Sequence, residues 1–260
     1  MTTKPLILVD LDDTLFQTHR RITPNNEFRV ASVDKSGQPL SFMKPKQQKF
    51  VEWLIQHSDL IPVTARSIDS LNRVQIDFSH GGVCSHGGTV ISKTGGVDHE
   101  WCEILSSRIA HVKDIMDQLP ELLMDYAADL GSIRTWTLHE NNMNLYSVAK
   151  QNDPDVPLFL TELVKRLPAQ IRDNFYIHTN GNNLAIIPHE VSKKNAVEYF
   201  LKKHNPDDER VVLGFGDSLS DFGFLSLCDW FGMPKNSQLN VFTQKVLISE
   251  YEQKGYFGNE

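Results

Sequence analysis

Twice in this chain a short apolar run ends abruptly in carboxylates. Leu6 to Val9 runs straight into Asp10, Asp12 and Asp13 in "LILVDLDDTLF", and far downstream "RVVLGFG" (210–216) runs into Asp217 and Asp221 in "GFGDSLSD". Uninterrupted apolar runs of this length read as strands buried on both faces, as in a parallel sheet. Carboxylates placed so close together repel one another and resist leaving water. An open parallel sheet tolerates such a cluster at the carboxyl ends of its strands, where ligands bind. If the two strands are neighbours, their acids meet at one site.

The rest of the chain alternates in the manner of an α/β protein. Pro45 opens a helical pattern that puts Phe50, Trp53, Leu54 and His57 on one face. "LIPVT" (60–64) reads as a second buried strand, and Ser67 as the cap of a helix reaching about Val74. After the glycine-rich "HGGVCSHGGTVISKTGG", the character changes. An amphipathic helix is expected from about Glu103 to Leu119, followed by strands at 133–138 and 144–149. A helix from about Pro157 to Leu167 and a hairpin around "TNGNN" follow. Lys193 to His204 reads as a helix leading back into the buried strand at 210–216.

Composition narrows the partners. The net charge of −7 argues against broad nucleic-acid binding, which wants a basic face. A small anionic substrate stays open, because a bound cation reverses the local field. Cys84, Cys102 and Cys228 have no zinc-site spacing and read as reduced thiols of a cytoplasmic protein. No apolar run approaches the roughly 18–20 residues of a membrane span, so no membrane partner is expected. "GGVCSHGG" lacks the lysine of a phosphate-binding loop and the dinucleotide spacing, and reads as a domain crossover.

The acids suggest a hard cation. Asp10 and Asp12 flank a single residue in the loop leaving the first strand, and Mg²⁺ favours such oxygen ligands. A solvated turn is the plainer account of the same residues. Asp217 and Asp221 lie four apart where a helix would begin near Ser218, and either alone also reads as a helix cap. Thr64 at a strand end and Lys193 at a helix start supply donors suited to a phosphoryl group.

In order and strand context, "DLDDTL", Thr64 in "VTAR", Lys193 in "VSKKNA" and "GDSLSD" resemble the four motifs of the haloacid dehalogenase superfamily. The long stretch between the second and third motifs is similar to the large cap of the Cof-like and sucrose-phosphatase-like members. That resemblance implies Asp10 as the nucleophile that becomes an aspartyl-phosphate, and Asp12 as general acid and then base. It implies Thr64 and Lys193 as phosphate ligands, with Lys194 as the fallback. Mg²⁺ would be held by Asp10, the Asp12 backbone carbonyl and Asp217, with Asp221 as ligand or neighbour. Asp13 falls on the variable position of the motif. Four departures stand out: Lys194 where a glycine is usual, "TAR" for "TGR", Ser220 for asparagine, and "FGMPKNSQL" after it, which follows the family's pattern only loosely.

The expected fold is therefore α/β, a doubly wound, mostly parallel sheet. Its core spans 1–90 and 187–260, and an α+β cap spans 91–186. Arg66 beside the site, and Arg134, His139, Asn180 and Asn183 in the cap, are the polar residues placed to meet a substrate. The expected function is a Mg²⁺-dependent phosphatase of a small phosphorylated metabolite, a sugar phosphate first. The alternatives are a phosphotransferase, particularly a phosphohexomutase, and an inactive binding or regulatory homologue.

Overall fold

The computed structural model describes residues 4–152 and 158–253. The chain divides into two compact units, Met1–Val97 with Lys193–Glu260, and Asp98–Ser192. The first unit opens with β1 (Leu6–Val9), β2 (Gln17–Thr18), β3 (Arg29–Val33), β4 (Pro39–Met43), α1 (Pro45–His57), β5 (Asp59–Pro62), α2 (Ile68–Leu71), β6 (Gly82–Cys84) and β7 (Thr89–Ile91). The second carries α3 (His99–Ile109), α4 (Lys113–Ala127), β8 (Ile133–Glu140), β9 (Met143–Gln151), α5 (Phe159–Arg166), α6 (Ala169–Asn174), β10 (Phe175–Asn180) and β11 (Asn183–Pro188). The chain returns to the first unit through α7 (Lys193–His204), β12 (Val212–Phe215), α8 (Phe222–Leu225), β13 (Trp230–Gly232) and α9 (Gln238–Gln253).

The first unit is built on a parallel sheet ordered β13-β12-β1-β5. All four residues of β1 are buried, which a strand with neighbours on both sides and cover on both faces requires. The chain moves outward from β1 to β5 and later returns to β12 on the other side of β1. The β1/β12 junction is therefore the switch point of the sheet, where an α/β fold opens its ligand crevice. Val9 pairs with Phe215 there, and the Asp10 N–H extends the ladder to the Phe215 carbonyl at 2.9 Å. The acid-tipped strands are neighbours in register.

Residues 17–43, which carry no clear period, form a small antiparallel sheet ordered β2-β4-β3. A register break at Ser32 in β3 hides its alternation. The β3–β4 turn is built by Asp34, whose Oδ1 accepts the N–H groups of Ser36 (2.8 Å) and Gln38 (2.9 Å), with Gly37 at φ 79°.

Three helical expectations need correction. On α1 the buried residues are Val51 and Leu54, whereas Phe50 and Trp53 are exposed. Phe50, Trp53 and His57 instead form an outward ladder of stacked rings, anchored where Phe50 meets Phe215 edge-on. Ser67 caps α2 through its side chain, but the helix ends at Leu71 rather than about Val74. The helix expected over 103–119 is two helices, α3 and α4, joined by a 3-10 turn at Ala110–Val112. Ile109 and Val112 leave helical backbone there (ψ 1° and 3°), and Pro120 is absorbed within α4.

The second unit is α+β. Its antiparallel sheet is ordered β10-β11-β9-β8, and α4 packs on β8 and β9. Thr135 of β8 donates to the Pro120 carbonyl at 3.1 Å. The "TNGNN" hairpin forms β10 and β11 around Gly181 at φ 57°. The helix start expected at Pro157 lies outside the described residues. A boundary at residue 90 would fall inside β7, whose pairing with β6 keeps it in the first unit.

Candidate active site

Three carboxylates and one ammonium meet at the end of β1 and β12. Lys193 Nζ donates to Asp10 Oδ1 and to Asp221 Oδ1, both at 2.6 Å. All three side chains are buried, Asp221 fully. Lys193 reaches inward from the first turn of α7, whereas Lys194 points to solvent. Thr14 Oγ1 donates to Asp10 Oδ2 at 3.2 Å and lies 3.5 Å from Asp217 Oδ1. This hydroxyl ties the first acid motif to the last.

Asp221 is held from every side. Its Oδ2 accepts the Asp217 N–H at 3.1 Å, the Ser218 N–H at 2.9 Å and the Ser218 hydroxyl at 2.8 Å. Ser218 and Asp221 form a reciprocal cap on the 3-10 turn Leu219–Asp221. Gly216 makes room for it: a Cβ there would meet Asp221 Cβ at 2.7 Å. With Oδ1 on Lys193 and Oδ2 on the turn, Asp221 is a brace for Lys193 and for the Asp217 loop.

Electrostatically the cluster is short of positive charge. Burial pushes the Asp10 carboxyl up to about 8 against the pull of Lys193. Burial, with Asp221 alongside, pushes Asp217 up to about 7. Burial also works to raise Asp221, but the Lys193 charge and hydrogen bond, with the Ser218 donors, hold it below the usual carboxylate range. Lys193 is raised: burial opposes its charge, and Asp10 and Asp221 more than offset that. One ammonium among three acids leaves a site that takes up a proton or a cation. Carboxylate oxygens of Asp10, Asp217 and Asp221 all lie within 4.8 Å of one another, a hard-oxygen set that fits Mg²⁺.

Asp12 points elsewhere. Arg66 Nε donates to its Oδ2 at 2.7 Å and Nη2 to its Oδ1 at 2.8 Å, a two-pronged ion pair. Arg66 also reaches Ser70, and its guanidinium rests 5.2 Å from the Phe16 ring centroid. Asp13, at φ 63°, pairs with exposed Arg21 at 3.2 Å. Thr64 is buried one residue past Val63, whose N–H donates to Val9 O at 2.8 Å. Its hydroxyl accepts the Arg66 N–H at 3.1 Å, and its own N–H donates to Val83 O at 2.9 Å.

Asp10, Asp12, Thr64, Arg66, Lys193, Asp217 and Asp221 all belong to the first unit. Arg134, His139, Asn180 and Asn183 belong to the second. There the register Asn180–Asn183–Lys150–Arg134 forms one row across all four strands. Exposed Arg134 lies over the Trp136 ring at 5.8 Å, and His139 Nδ1 is 3.0 Å from Asn144 Oδ1. The side chain of Asn180 lies outside the described residues. The sequence reading overlooked Ser218 and the bridging role of Thr14. Ser218-x-x-Asp221 is the capping signature that signals the first, and Thr14 is the last residue of Asp-x-Asp-x-Thr.

Residues 3–233 match the model of the family described as sucrose-6F-phosphate phosphohydrolase. A hydrolase of Staphylococcus aureus (strain MRSA252), named as uncharacterized, is 22% identical over 95% of this chain and 92% of its own. The fold is similar to the sucrose-phosphatase of Synechocystis sp. PCC6803, solved with sucrose and phosphate (TM-score 0.55, 16% identity, 100% of this chain and 90% of that one). It is also similar to the C-terminal domain of a trehalose-6-phosphate phosphatase from C. albicans (TM-score 0.53, 15% identity, 86% and 73%). The chain belongs to the sucrose-6F-phosphate phosphohydrolase family of the haloacid dehalogenase superfamily and is a phosphoric monoester hydrolase.

Proposed function

We propose that this protein is a Mg²⁺-dependent phosphatase of a small sugar phosphate, working through an aspartyl-phosphate on Asp10. The observation that carries the proposal is the setting of Asp10. It sits at the switch point of the sheet, fixed by Lys193 on one oxygen and Thr14 on the other, with Asp217 beside it. In-line phosphoryl transfer needs positioning and charge neutralisation more than covalent novelty.

Asp10 and Asp217 would hold the metal, and Asp221 would orient both Lys193 and the Asp217 loop. Bound there, Mg²⁺ supplies charge neutralisation for the phosphoryl oxygens. Asp10 attacks phosphorus as the bond to the leaving oxygen breaks, and Lys193 and Thr64 stabilise the transferring group. Asp12 gives a proton to the leaving oxygen, then takes one from the water that releases phosphate. Arg66, donating to both Asp12 oxygens, sets where that carboxylate stands. The family and the fold neighbours named for sucrose and trehalose phosphates favour a sugar leaving group.

The test is a panel of sugar phosphates with Mg²⁺, read both as free phosphate and as isomerised sugar. Phosphate release from one subset, lost in Asp10→Asn, is expected. Isomerised product without phosphate release would instead make the protein a phosphohexomutase. No turnover anywhere, with Mg²⁺ bound, would make it an idle binder.

A further inference from the structure

The loop that carries Asp217 is held twice. Within its own motif, Asp221 Oδ2 accepts the N–H groups of Asp217 (3.1 Å) and Ser218 (2.9 Å). The second hold comes from the segment "FGMPKNSQL" (231–239), where the chain follows the family's pattern only loosely. Its last two residues open α9. The Leu239 N–H donates to the Asp217 carbonyl at 2.8 Å, and Gln238 Oε1 accepts the Leu219 N–H at 3.1 Å. The opening N–H groups of a helix have no carbonyl partner within it. Leu239 stands in the first turn of α9, and Leu219 opens the 3-10 turn Leu219–Asp221. Each of these two starts spends such a donor on the other.

The helix end of this exchange is firmly seated. Ser237 and Leu239 are buried, and Ser237 Oγ accepts the Asn240 N–H at 3.1 Å as the cap of α9. Gln238 lies exposed between them, so its side chain adds nothing to the core and its contact is with the loop. A loop pinned at one bond can still swivel about it, whereas two bonds at Asp217 and Leu219 fix the direction in which the Asp217 carboxylate leaves the main chain. We propose that Gln238 is a positioning residue for the metal, holding the Asp217 loop in the form that binds Mg²⁺. The proposal rests on the reading of Asp217 as a Mg²⁺ ligand. Removing a partner that orients a metal ligand typically costs about 10–100-fold in metal affinity. One neutral bond made by a solvated side chain belongs at the lower end of that range. Gln238 acts through Asp217, so its effect falls on the metal and not on the substrate.

The experiment is thermal unfolding of the full chain over a Mg²⁺ titration, with phosphate release followed in parallel. Gln238→Leu removes the acceptor at an exposed position and should still fold. It should need about tenfold more Mg²⁺ for half of the gain in Tm, and about tenfold more for half-maximal turnover. At saturating Mg²⁺, its kcat and its KM for the phosphorylated substrate should stay within about twofold of the unmodified protein, because the chemistry is untouched. Gln238→Glu keeps an acceptor for the Leu219 N–H and should bind Mg²⁺ at least as well as the unmodified protein. A Gln238→Leu variant that loses Tm without metal yet keeps its Mg²⁺ midpoint would show a merely structural bond and overturn the proposal. A Gln238→Glu variant as weak as Gln238→Leu would overturn it too, since the acceptor would then not be what matters. If the unmodified protein itself gains no Tm from Mg²⁺, the reading of Asp217 as a metal ligand fails, and the role of Gln238 falls with it.

Discussion

Arg66 holds Asp12 by both carboxylate oxygens, at 2.7 and 2.8 Å. Only 9% of the Arg66 side chain is exposed, against 41% for Asp12, so the arginine is the fixed partner and the aspartate the one that can turn. Lysine offers a point charge in place of a fork and does not reproduce the grip. Arg66→Lys should therefore lower kcat/KM about 100-fold, the cost of a misplaced catalytic group. The loss should fall mainly on kcat in steady-state phosphate release. An unchanged kcat would show that Arg66 does not set the position of Asp12.

The three aspartates of the first motif should separate cleanly. Asp10→Asn and Asp12→Asn should each cost about 1,000-fold or more in turnover, since one removes the nucleophile and the other the proton shuttle. Asp13→Asn should stay within about twofold, because asparagine accepts the left-handed backbone at φ 63° and the Arg21 pair it loses is a solvated one. Parallel assays of the three variants decide it. An Asp13→Asn enzyme as dead as Asp10→Asn would contradict the division of labour.

Lys193 should matter to the fold as much as to the chemistry. Lys193→Met strands two buried carboxylates, and removing one partner of a buried pair typically costs about 3–5 kcal/mol. Urea unfolding without metal should show a loss of that order. Lys193→Met combined with Asp221→Asn should recover part of it, because one stranded charge is then gone.

The pH dependence of metal binding has a definite sign. In the metal-free fold, burial raises Asp10 to about 8 and Asp217 to about 7, above the ordinary 3.8 that holds in the unfolded chain. The folded form therefore keeps protons that the unfolded chain has released. That stabilisation is complete below the ordinary value and is lost as pH rises through about 7 and 8. Mg²⁺ must displace those protons, so it should raise Tm more at pH 8 than at pH 5. Thermal unfolding with and without Mg²⁺ at the two pH values measures this. A larger gain at pH 5 would refute it.

Much of the site was legible because strand ends and acids leave a local signature. "LILVD" and "VLGFGD" announce both the strands and the acids that meet at their ends, and the Lys193 helix begins at its expected residue. The Arg66–Asp12 grip was not legible, because it joins residues 54 apart through side-chain rotamers. The β2–β4 sheet escaped because the bulge at Ser32 breaks the two-residue period, although "DKSGQP" carried a turn signal. On α1, periodicity found an aromatic stripe but not its direction: rings that stack on one another satisfy the same spacing as rings that enter a core.

The Lys193–Asp10 contact spans 183 residues of sequence, with the whole second unit threaded between its ends. On the ribosome, β1 therefore emerges without the ammonium its terminal carboxylate needs, and without β12, the neighbour that completes its ladder. The second unit pairs only strands of its own and can condense while β1 still waits. Assembly of the acid cluster thus waits for α7 and β12. Nascent chains cut short before α7 should lack the means to bury Asp10, and turnover becomes a certificate that synthesis has run past Asp221.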